Sequence, residues 1–143
     1  MASVIIYTNE NGGVSVCVPT GELDIYAVQA KDTPAGSIIV DDNTLPKGTD
    51  AKFFDAWVLN NLAVTVYMPK AISLQTSILN RMAYAEAQHR TAKAGAGLAN
   101  VLSDADWAAL LATARTAVTE AANTDALVAA VAPVEAAVAA NAL

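Results

Sequence analysis

Asp55–Ala71, DAWVLNNLAVTVYMPKA, reads as a strand, a tight turn, a second strand and a proline that opens a long helix. Trp57-Val58-Leu59 and Leu62-Ala63-Val64-Thr65-Val66 are β-formers, and Asn60-Asn61 between them tolerates the positive φ that a two-residue turn requires. Pro69 suits the first turn of a helix, where its missing N–H is not needed. The chain changes character at this point. Everything before it is short, β-rich and varied; everything after it is alanine-rich with helical spacing. The expected architecture is therefore α+β: a small, mostly antiparallel β module with one short helix over residues 1–68, then an alanine-rich helical hairpin and tail over 69–143.

Upstream, Ser3–Thr8 and Val14–Val18 are strand-like and flank the turn signal Asn9-Glu10-Asn11-Gly12-Gly13, which predicts a hairpin. Pro19 ends the second strand because it cannot donate to a ladder. Thr20 is placed to cap a short helix over Glu22–Lys31, with Leu23, Tyr26, Ala27 and Ala30 on one face. Ser37–Val40 is a further short strand.

Downstream, Ala71, Leu74, Ile78, Met82, Ala85, His89 and Ala92 recur at steps of three and four, the spacing of an amphipathic helix. Ala94-Gly95-Ala96-Gly97 breaks it, with room for helix to resume over Leu98–Leu102. Ser103 followed by Asp106 is a helix start of the capping-box kind, and Trp107, Leu110, Leu111, Ala114, Val118 and Ala121 form a second stripe. Asn123-Thr124-Asp125 opens a third helix, whose Leu127, Val131, Val134 and Val138 repeat at four, three and four. Pro133 is expected to kink or end it. Alanine favours helix but buries little area per contact, so a bare helical pair of this composition is expected to dock on its own N-terminal module, on copies of itself or on another protein.

Chemistry is sparse. With 143 residues, a net charge of −6 and acids in excess in both halves, there is no cationic cluster for phosphate, so nucleic acid is not an expected partner. No apolar run reaches the roughly 18–20 residues that span a bilayer, and no signal peptide is apparent at the N-terminus. One cysteine and one histidine cannot build a standard zinc site. Asp41-Asp42-Asn43 lacks the register of a calcium loop and reads as a solvated turn. No cofactor motif is present: the Gly95–Gly97 spacing fits neither a phosphate loop nor a dinucleotide fingerprint. Asp24, Asp41, Asp42, Asp50 and Asp55 supply carboxylates but no nucleophile or base with an orienting partner, so no catalytic residue is assigned.

The candidates that remain are for binding. Phe53, Phe54 and Trp57 form the densest aromatic group, and Trp107 begins the second helical stripe. Aromatic side chains of this kind fill cores or anchor interfaces, and both readings stand for these four. Cys17 reads as a packed strand residue, or as one half of an intermolecular disulfide.

The order of features resembles small proteins of tailed bacteriophages encoded beside tail-fibre genes. The matching residues are Ile5-Ile6-Tyr7-Thr8-Asn9, Gly12-Gly13-Val14 and Pro19; Ala30-Lys31-Asp32-Thr33-Pro34-Ala35-Gly36; Leu45-Pro46; Asp55-Ala56-Trp57; Val64-Thr65-Val66; Met68-Pro69-Lys70-Ala71; and Thr124-Asp125-Ala126-Leu127. The chain departs from that group at Lys52-Phe53-Phe54, where the group carries an arginine-containing step. It departs again in its alanine-rich end, which lacks a tryptophan-proline finish. The resemblance implies a role in the phage tail or in its assembly within the host cytoplasm. The implied partner is a tail fibre or another tail protein, bound as an assembly chaperone or as a fibre-associated component. The alternative is a self-assembling virion protein, capsid-decorating or in the tail, whose helices form a trimeric bundle.

Overall fold

Asn9 turns the chain at the end of the first strand. Its side-chain oxygen accepts from the backbone N–H groups of Asn11 (3.0 Å) and Gly13 (3.1 Å). Gly12 takes the positive φ of 80° that the turn needs. In the computed structural model, which describes residues 2–143, this turn joins β1 (Ser3–Thr8) to β2 (Val14–Cys17). A third strand, β3 (Ile38–Asp41), pairs with the other side of β1. The sheet order is β2-β1-β3, antiparallel throughout. A separate hairpin comes next, β4 (Trp57–Asn60) and β5 (Ala63–Val66), with Trp57 opposite Val66 and Asn60 opposite Ala63. That register makes Asn61-Leu62 the turn, one residue later than the sequence suggests, because Asn61 is the residue held at φ 57°. The fold is α+β, and the chain divides into two units, the first ending at Tyr67 and the second spanning Met68–Leu143.

Strand alternation supplies the core of the first unit. Val4, Ile6 and Val14 point to one face and are buried with Trp57 and Val64 of the second hairpin. Ile5, on the opposite face, is wholly buried. The short helix α1 runs Ile25–Asp32, starting three residues later than expected. Gly21 holds a φ of 90° that is incompatible with helix, and Asp24 rather than Thr20 provides the cap, accepting from Tyr26 N–H at 3.2 Å. The shift changes the buried face: Val28 is buried while Leu23 and Tyr26 are exposed. Between β3 and β4 the chain makes 3₁₀ turns over Gly48–Ala56, bent at Phe53.

The second unit consists of α2 (Met68–Gly95), α3 (Asp104–Thr119) and α4 (Thr124–Ala140). All three helices pack on one another. The third helix, expected as a tail, packs on both of the others. Ser103 caps α3 through Asp106 N–H, and Asn123 caps α4 through Ala126 N–H. α2 is closed off just past its end by Gly97, whose φ is 71°. There Leu98 N–H reaches back to the Lys93 carbonyl at 2.8 Å and Gly97 N–H to that of Ala94, a glycine-terminated helix end. Helix does not resume over 98–102. Pro133 does not end α4, which continues to Ala140. The proline and Ala129, whose carbonyl loses its donor, are both exposed, so water can satisfy the freed oxygen.

Candidate functional site

The aromatic group is split by burial. Trp57 is buried and anchored, its indole Nε1–H donating to the Asp50 carbonyl at 2.9 Å. Phe53 is buried where the 3₁₀ turns bend. Phe54 is 43% exposed, with one side of its ring against the core. It leans on Trp57 with ring centroids 4.8 Å apart and planes tilted by 59°. Of the three, then, two build the core and Phe54 offers a supported apolar face to solvent. Acidic Asp55 is exposed beside it.

Trp107 belongs to the helical unit, in the first turn of α3. It is half-buried beneath Arg90, whose guanidinium carbon is 5.9 Å from its ring centroid. Arg90 also donates to Asp104 at 2.6 Å and to the Leu102 carbonyl at 3.0 Å, so Trp107 and Arg90 close the α2–α3 connection. Cys17 is a free, half-buried thiol opposite Ile5 in the sheet. It lines a shallow hollow with Val18, Pro19, Leu23, Val28 and Lys31. Among the described residues no group of three or more His, Cys, Asp or Glu side chains is placed to hold a metal ion. No helix among them is long and apolar enough to cross a membrane.

A polar cluster that apolar periodicity does not reveal lies inside the helical unit. The α2 residues that face its neighbours are Ala71, Gln75, Leu79, Glu86 and Lys93, all buried. Asn141, the C-cap of α4, is 1% exposed and uses its whole side chain. Its Oδ1 accepts from Lys93 Nζ at 2.9 Å and from Val101 N–H at 3.0 Å. Its Nδ2 donates to Glu86 Oε1 at 2.7 Å and to Asn100 Oδ1 at 3.1 Å. One amide thereby connects two oppositely charged side chains a heptad apart on α2. A signal was present: extending Leu127, Val131, Val134, Val138 by one more step of three lands on Asn141. A search for apolar residues alone passes over it, as it passes over Glu86 and Lys93.

No protein-family model, curated protein or solved structure matches the chain.

Proposed function

We propose that this chain is a non-enzymatic bacteriophage tail protein that acts by binding a tail fibre, as an assembly chaperone or as a fibre-associated component. Two things support the reading. One is the resemblance carried by the first half of the sequence. The other, which carries the structural side, is Phe54: an aromatic ring exposed to solvent while held against the buried Trp57. A supported aromatic face loses little conformational freedom on binding and is the usual anchor of a protein interface. Most of the formal charge of −6 falls before Met68, which fits a partner surface that is apolar at its centre and basic around it.

The reading is tested by co-expression with the tail-fibre protein of the same phage, then size-exclusion chromatography with mass determination and mass spectrometry of purified particles. Co-elution with fibre, weakened at least tenfold by Phe54→Ser, is the expected result. Presence in particles then marks a fibre component, and absence marks a chaperone. A chain that ignores the fibre and forms a defined oligomer of its own would replace this reading with that of a self-assembling virion protein.

A further inference from the structure

Lys93, Asn141 and Glu86 meet inside the helical unit in an arrangement that does more than satisfy hydrogen bonds. We infer that they form a self-modifying site, in which the Lys93 amine attacks the Asn141 side-chain amide to give an intramolecular isopeptide bond between α2 and the end of α4.

A nucleophile, a donor to the developing oxyanion and a proton carrier on the leaving group are in place. The nucleophile is Lys93 Nζ, 2.9 Å from Asn141 Oδ1, and the carbon to be attacked is the next atom along. The oxygen on which negative charge develops already receives the Val101 backbone N–H at 3.0 Å, a fixed dipole aimed at the oxyanion. The nitrogen that must leave, Nδ2, donates to Glu86 Oε1 at 2.7 Å, so a proton carrier touches the leaving group directly. Asn100 Oδ1 holds the same nitrogen from a second direction at 3.1 Å. Glu86 and Asn141 are each 1% exposed and Lys93 is 9% exposed. Water, the competing nucleophile that would convert Asn141 to an acid, is largely kept away.

The reaction balances without an added reagent. Lys93 and Glu86 touch the two ends of one amide rather than each other, so the proton that the Lys93 ammonium gives up passes to the Glu86 carboxylate across Asn141, which cancels two charges inside a buried site. The amine lone pair forms the Nζ–Cγ bond, and the carbonyl electrons move onto Oδ1 against Val101 N–H. A second proton from Nζ is delivered through Glu86 to Nδ2. The carbonyl re-forms, the Cγ–Nδ2 bond breaks, and ammonia leaves. The products are a secondary amide, ammonia and protonated Glu86, which returns its proton when ammonia departs as ammonium. Holding the two reacting groups side by side supplies the effective concentration that amide aminolysis lacks in water. The product ties together residues 48 apart in sequence, and the bond is neither reducible nor reversible by heat.

Intact-mass measurement of the folded, incubated full chain tests this, together with trypsin digestion. The expected result is a principal species lighter than the sequence mass by one ammonia. Digestion should leave Lys93 uncut and yield a branched product joining residues 91–115 to residues 116–143. Glu86→Gln and Lys93→Met, shown to be folded by circular dichroism, should both retain the full mass. A folded wild-type chain at full mass, cleaved after Lys93, overturns the proposal. So does an ammonia loss without the branched product, which would mean a succinimide, and so does bond formation in Glu86→Gln.

Discussion

Gln75 on α2 donates its Nε2–H to the main-chain carbonyl of Leu127 on α4 at 3.1 Å, both groups being buried. Farther along the same two helices Asn141 meets Glu86 and Lys93. The two ties occur in the same order on both helices, so α2 and α4 run parallel, and α3 returns between them with Arg115 on Asn80 and Arg90 on Asp104. Polar groups inside a helical seam weaken burial but fix which residues face each other. Gln75→Ala removes the donor and leaves a small void. We expect it to lower the stability of the helical unit by about 1–3 kcal/mol, measured by urea unfolding monitored at 222 nm.

Leu127 is fully buried at the start of the apolar run on α4. Leu127→Ala is expected to cost about 2–5 kcal/mol, the range for a truncated core leucine. Urea unfolding reads this; a change below about 0.5 kcal/mol, the size of a surface substitution, would mean that α4 does not bury its apolar run.

Pro133 points the other way. It lies exposed in the middle of α4, where it withholds one backbone donor and the helix continues regardless. Pro133→Ala restores that donor at a site with no buried contact to lose. We expect a gain in stability of up to about 3 kcal/mol, seen as a higher melting temperature. A lower one would show that the fixed φ of proline is needed there.

Asn61 turns the β4–β5 hairpin at φ 57°. Asn61→Gly should be tolerated, while Asn61→Ala should cost about 1–2 kcal/mol, the penalty for placing a Cβ in left-handed backbone. Thermal denaturation of both variants checks the contrast, and equal melting temperatures would refute it.

The buried cluster of Val4, Ile6, Val14, Trp57 and Val64 comes entirely from residues before Met68. A chain of residues 1–67 is therefore expected to melt cooperatively on its own. Trp57→Phe within it, losing the bond to the Asp50 carbonyl, should lower stability by about 1 kcal/mol. A featureless melt of the 1–67 chain would mean that its core is incomplete without the helical unit.

Several of these features are legible from the residues alone. The β-branched residues of Ser3–Thr8 and the period-two alternation of Val14–Val18 give β1 and β2, and the caps Ser103 and Asn123 mark helix starts where the structure has them. The short helix is misplaced because its start depends on the backbone of Gly21 rather than on side-chain pattern. The apolar stripe on α2 picks out flanking residues such as Leu74 and Ile78, which are half-buried, and Ala92, which is exposed. The true seam includes Gln75, Glu86 and Lys93, whose burial depends on partners from other parts of the chain. Their polarity makes them look like surface residues until Leu127, Asn100, Val101 and Asn141 are brought alongside. The same holds for the aromatic group, where only the bend at Phe53 separates a buried ring from the exposed one next to it.

β1 lies in the middle of its sheet, between β2 and β3, although it precedes both in sequence. On the ribosome it therefore emerges before either neighbour. Its hairpin with β2 closes early and locally, but its second edge stays open until Asp41 has been translated, and its apolar face stays bare until Val66 has. Slow codons or a pause between Cys17 and Ile38 would prolong the time during which Val4-Ile5-Ile6 can pair with a neighbouring nascent chain. The yield of soluble protein should thus respond more strongly to the rate of synthesis across this interval than to the rate anywhere in the helical half.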